Sequence, residues 1–106
     1  MKIYKKDKRY DYCSSVKVIN TAIHKWNRDY SDCYVGITND VNRRMTEHNI
    51  DEEKDVFIWL QSVDADVARA IESYFLDKGC KGDTGGGSED SCFVYCYVIT
   101  GETEQG

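Results

Sequence analysis

The chain has 106 residues, a net charge of −5, five cysteines and no proline. That length makes one small domain able to bury a modest core, and an apolar fraction of 41% with 31% charged residues excludes a disordered composition. No apolar run approaches the ~20 residues of a membrane span, and no apolar stretch follows the basic N-terminal residues as a secretory signal requires, so the expected location is intracellular and cytoplasmic.

Residues 1–13 read as a basic N-terminal arm. Residues 1–9 carry Lys2, Lys5, Lys6, Lys8 and Arg9 against Asp7, residues 10–49 balance, and residues 50–106 hold thirteen acidic against four basic groups. An acidic chain with a basic arm can still present a positive face, which makes Lys5 and Lys6 candidate phosphate contacts. A solvated terminus is the plainer alternative.

Residues 14–29 are predicted as a helix. Val16, Ile19, Ile23 and Trp26 recur at helical spacing, and Ser14 or Ser15 is the expected cap. Asp32–Thr38 reads as a strand, and Asp40–Asn49 as a helix opened by the Thr38-Asn39-Asp40 turn. The continuously apolar Val56–Leu60 suits a buried strand. Ser62 or Asp64 then caps a helix to about Lys78 with Val67, Ile71, Tyr74 and Phe75 as its stripe. Gly79 is placed to end that helix in the left-handed conformation. Residues 79–88 are glycine-rich loop. Cys92–Thr100 is the last strand, where Phe93, Tyr95, Tyr97 and Ile99 alternate with Cys92, Val94, Cys96 and Val98. Residues 101–106 form a polar tail, expected to fray. The order is helix, strand, helix, strand, helix, strand: a single α/β domain with a small three-stranded central sheet flanked by helices.

The cysteines are odd in number and include no Cys-x-x-Cys pair. Cys92 and Cys96 would lie roughly 13 Å apart along a strand, too far for a disulfide, so free, largely buried thiols are expected.

The most chemically loaded stretch is Tyr34-Val35-Gly36-Ile37-Thr38-Asn39-Asp40-Val41-Asn42-Arg43-Arg44-Met45-Thr46-Glu47-His48. Arg44 and His48 are four apart, hence on one helix face, and Tyr34 stands on the strand before them. A phenol, a guanidinium and an imidazole beside one strand-to-helix turn suit phosphodiester chemistry. Each also has a bland reading: core or edge aromatic, surface cation, structural histidine.

These residues resemble the second motif of the GIY-YIG nuclease domain: Tyr34-Val35-Gly36, Thr38, Asp40-Val41, Arg44 and His48 fall on its spacing. Ala68-Arg69-Ala70-Ile71-Glu72 looks like the family's later glutamate segment. The resemblance covers residues 32–80. It implies a GIY-YIG-like fold and a metal-dependent endonuclease that hydrolyses DNA. Tyr34, Arg44, His48 and Glu72 would be catalytic, and Glu72 would hold Mg²⁺ or Mn²⁺. Arg44 would clamp the scissile phosphate, Tyr34 would position or deprotonate water, and His48 would accept the proton. Arg43 is a further candidate phosphate contact, Thr38 is expected to cap the helix, and Glu89 and Asp90 offer a second cation ligand or a solvated pair. The family's first Gly-Ile-Tyr motif is absent before Tyr34, with Tyr10, Tyr12 or a late-strand tyrosine left to occupy that space. No Asn follows Asn49 where the family has one. Two rivals follow: a degenerate scaffold that binds nucleic acid or a protein partner without cutting, and an acidic protein-interaction domain.

Overall fold

The computed structural model describes residues 8–51, 53–82 and 91–104; Lys5, Lys6, Glu89, Asp90 and the loop from Asp83 to Ser88 lie outside them. Within the described residues, β1 (Arg9–Tyr10) precedes α1 (Tyr12–Lys25), and a short 3-10 turn (Tyr30–Asp32) leads into β2 (Cys33–Thr38). There follow α2 (Val41–Glu47), β3 (Phe57–Ser62), α3 (Ala65–Lys78) and β4 (Phe93–Val98). The strands form one mixed sheet in the order β1-β3-β4-β2, where β4 is antiparallel to both neighbours and β1 runs parallel to β3.

The sheet has four strands where three were expected. The additional strand is the two-residue β1, taken from the basic arm, which pairs Arg9 with Gln61 and Tyr10 with Ser62. Two residues carry no periodicity, so only the tertiary contact defines this strand. Tyr10 is buried in the main core, which pins the chain before α1.

Helix α1 starts earlier than its apolar stripe. Asp11 is the cap, accepting a hydrogen bond from the Ser14 N–H at 2.8 Å, so Ser14 and Ser15 lie inside the helix. Its polar first turn is invisible to hydrophobic spacing. Helix α3 is capped by Asp64 through the Val67 N–H, and Gly79 ends it at φ 118°, as its place in the sequence predicts. Asn27 and Asn49 take the same left-handed role after the first two helices, at φ 57° and 59°.

The strands' alternation divides the interior. Cys33, Val35 and Ile37 of β2, Ile58 and Leu60 of β3, and Val94, Cys96 and Val98 of β4 meet Ile19 and Ile23 of α1 and Ala68, Ile71 and Phe75 of α3. Tyr34, Phe57, Tyr95 and Tyr97 face the other way and pack with Met45 of α2. All five cysteines are free; Cys33, Cys80 and Cys96 are buried, with Cys92 half-buried and Cys13 exposed. No helix among the described residues is long and apolar enough to cross a membrane.

Candidate functional site

The site lies on the α2 side of the sheet, and its position begins with a turn. Thr38 holds it by accepting the Asp40 N–H at 3.0 Å, and the Asp40 carboxylate caps α2 by accepting the Arg43 N–H at 3.1 Å. Asp40 is therefore the cap and Thr38 the organiser of the turn before it. At the other end the His48 N–H donates to the Arg44 carbonyl at 2.9 Å, and Asn49 turns the chain away. Arg44 and His48 thus project together, as their spacing predicts, with an Arg44 guanidinium N–H 3.1 Å from His48 Nε2.

Pairing of β2 with β4 brings in a group that chain order hides. Tyr34 stands opposite Tyr97, and Gly36 opposite Tyr95. The Tyr95 phenol lies directly over Gly36; a Cβ at that position would come closer than 3.0 Å to it. With no side chain beneath it, the Tyr95 hydroxyl reaches His48 Nε2 at 2.8 Å and lies 3.3 Å from Arg44 Nε. The Tyr34 ring stacks 5.3 Å from Tyr97 and lies 4.7 Å from the imidazole, closing the site from the strand side.

The hydrogen bonds fix the imidazole tautomer. His48 Nδ1 meets the carbonyl oxygen of Glu104, which can only accept, so Nδ1 carries the proton. The Tyr97 hydroxyl, 2.9 Å from Nδ1, also donates to that carbonyl at 3.0 Å. Nε2 is left with its lone pair toward two donors, the Tyr95 O–H and the Arg44 N–H. As far as Glu104, the last described residue, the tail is anchored rather than frayed: the Glu104 N–H donates to the His48 carbonyl at 2.8 Å, and Asn49 Nδ2 donates to the Glu102 carbonyl at 2.7 Å. No sequence periodicity reports such a backbone contact.

Electrostatics keep His48 neutral. Burial pushes its pKa below the usual 6.5, assisted by the Arg44 charge and opposed by the Glu104 carbonyl. Burial also raises Tyr95 to about 12, against the pull of Arg44. Burial works against the charge of Arg44 itself, but its hydrogen bonds to Tyr95 and Glu47 outweigh this, and its pKa is raised. Arg44 pairs with Glu47 and is 23% exposed, the part of this cluster that opens to solvent.

Glu72 sits on α3 and is only 6% exposed, with its charge felt at Tyr95. That push is the smallest of the influences on Tyr95, Glu72 is not among the influences on His48 or Arg44, and α3 packs on the sheet face away from Tyr95. Among the described residues no group of three or more His, Cys, Asp or Glu side chains gathers to hold a metal ion. Arg43 stays at the surface, 3.3 Å from Asn39 Oδ1 and 3.8 Å from Glu47. His24 is exposed on α1, away from this cluster. Sequence reasoning missed Tyr95 as a specific partner of His48. The alternation of Phe93, Tyr95 and Tyr97 marks their face, but nothing local sets the register that puts Tyr95 over Gly36.

Comparisons with protein-family models, with curated proteins and with solved structures return no match.

Proposed function

We propose that this chain is an intracellular, metal-dependent endonuclease that hydrolyses DNA phosphodiester bonds on a GIY-YIG-like scaffold. The observation that carries the reading is the Tyr95 hydroxyl joined to His48 Nε2 and Arg44 over Gly36. The family's first motif is missing ahead of Tyr34, yet the strand paired with β2 is β4, from the far end of the chain, and it brings tyrosines beside Tyr34 and His48. In this reading Tyr95 takes the part of the tyrosine in the missing motif.

In this reading the attacking water gives a proton to the Tyr95 oxygen as Tyr95 passes its own to His48 Nε2. The water oxygen bonds to phosphorus and the 3′ oxygen leaves with the electron pair. Neutral His48 is the required starting state, and the Glu104 carbonyl holds the ring with Nε2 ready. Arg44 binds the scissile phosphate and offsets the charge that builds on it. Tyr34 braces the imidazole and orients the water. Glu72 would hold the hard divalent cation, with water and phosphate completing a shell that needs only one or two carboxylates. The bound Mg²⁺ or Mn²⁺ would supply Lewis-acid stabilisation of the leaving oxygen.

The second reading is a scaffold that binds nucleic acid or a protein partner without cutting. It is favoured by burial: Tyr34, Tyr95 and His48 are 2%, 1% and 0% exposed, which leaves Arg44 as their opening to solvent. Incubation of supercoiled, linear and branched DNA with Mg²⁺, Mn²⁺ or EDTA separates the two. The enzyme reading requires metal-dependent cutting that disappears in folded Arg44→Ala and Glu72→Ala variants. No cutting by folded wild-type protein on any of the three substrates overturns it.

A further inference from the structure

On the opposite side of the sheet from His48, α1 carries a feature the nuclease reading does not use. Between Tyr12 and Arg28 there is no Asp or Glu, while Lys17, Lys25 and Arg28 are all exposed. This is unusual in a chain whose net charge is −5. Among the described residues, none of the three pairs with a carboxylate. Lys17 and Lys25 are eight residues apart on the helix, a separation of ~12 Å along its axis.

Between them runs a groove of about 460 Å³ with Val18 and Ala22 of α1, Trp26 at its C-terminal cap and Ile58 of β3 along it. Its lining exposes more apolar than polar surface. The groove follows from the short β1: on the edge of β3 away from β4 that strand covers only Gln61 and Ser62, so among the described residues no strand pairs with that edge beside Ile58. The result is an aliphatic floor between two unpaired lysines.

We propose that this groove docks an acidic amphipathic segment of a partner protein, with apolar side chains on the Val18–Ala22–Ile58 floor and carboxylates against Lys17 and Lys25. Charge complementarity selects the sign of the partner, and the aliphatic floor selects a polypeptide over a polynucleotide. Single-stranded nucleic acid needs exposed aromatic faces for its bases, and among the described residues Trp26, half-buried against the main core, is the only aromatic along this groove. An acidic helix or extended segment uses both the floor and the rim. Because the groove and the His48 cluster lie on opposite faces of the sheet, the partner and a substrate can be bound together.

The test uses the full chain carrying Trp59→Phe, which leaves Trp26 as the reporter. Its fluorescence is followed during titration with a Leu/Glu amphipathic peptide, the matching Leu/Lys peptide and oligo(dT). The proposal expects saturable binding of the Leu/Glu peptide, weakened about tenfold (~1.4 kcal/mol) or more in a folded Lys17→Glu/Lys25→Glu variant. The same affinity is expected with Arg44→Ala added, so failure of the nuclease reading does not touch this result. If Trp59→Phe impairs folding, amide shift changes in wild-type protein, confined to α1 and Ile58, give the same readout. Equal binding of the Leu/Lys peptide, lysine-dependent binding of oligo(dT) in preference to the peptide, or no binding of any probe each overturns the proposal.

Discussion

The two faces of this sheet are built from the same strands and do different work. Toward α1 and α3 the strands present Val35, Ile37, Ile58, Leu60, Val94 and Cys96, side chains whose contribution is burial. Toward α2 they present Tyr34, Phe57, Tyr95 and Tyr97, and two of these phenols hydrogen-bond a histidine with no solvent exposure. An aliphatic face tolerates exchange of one shape for another at similar volume. A polar aromatic face does not, because each buried hydroxyl or ring nitrogen that loses its partner costs free energy. Stability is thus expected to be concentrated on the helix side, and sensitivity to small chemical changes on the α2 side.

The comparison is broken most directly from the helix side. Phe75→Ala removes a ring that is fully buried against the sheet, and about 3–5 kcal/mol of stability should go with it, read as a lower midpoint in urea unfolding. Gly36→Ala tests the other side, where the new methyl meets the Tyr95 phenol. About 1–3 kcal/mol of destabilisation is expected, with the Tyr95–His48 bond displaced. If Gly36→Ala proves as stable as wild type and leaves His48 unshifted in NMR spectra, the close packing of Tyr95 over Gly36 is not what shapes this face.

Tyr95→Phe sharpens the contrast, since it keeps the ring and removes only the hydroxyl. About 1 kcal/mol of stability should be lost, while DNA cleavage should fall on the order of 10²-fold or more if the hydroxyl relays the proton. Unchanged cleavage in this variant would remove Tyr95 from the mechanism. Deleting residues 102–106 takes away the Glu104 carbonyl; ¹⁵N shifts should then show His48 losing its preference for a protonated Nδ1, with about 1 kcal/mol of destabilisation.

The smallest effect is one of pH. His48 has a folded-state pKa below its unfolded value of 6.5, so between those two values the unfolded chain binds more protons than the folded one. Stability is therefore constant above about 6.5 as far as this group is concerned, and declines as pH drops from there toward the folded pKa. Cleavage that needs neutral Nε2 should persist somewhat below pH 6.5 and then fall. A His48 titration midpoint above 6.5, followed by NMR, would contradict the assigned environment.

Much of this molecule was written locally. The spacing of Ile19 and Ile23, the apolar run of Val56–Leu60 and the alternation along Phe93–Val98 each specify an element, because side-chain direction follows backbone period, while the burial of both strand faces came from the helices packed on them. The Asp64 and Gly79 ends of α3 and the shared face of Arg44 and His48 follow in the same way, since caps and i,i+4 neighbours are interactions over a few residues. The fourth strand, the partner of β2 and the anchoring of the tail were decided by tertiary structure alone. Arg9–Tyr10 is too short to have a period, and the Tyr95–His48 and Glu104–His48 contacts span 47 and 56 residues. Sequence placed an arginine and a histidine on one helix face; only the register of β4 against β2, set by packing on both sides of the sheet, brought a tyrosine over Gly36 to meet them.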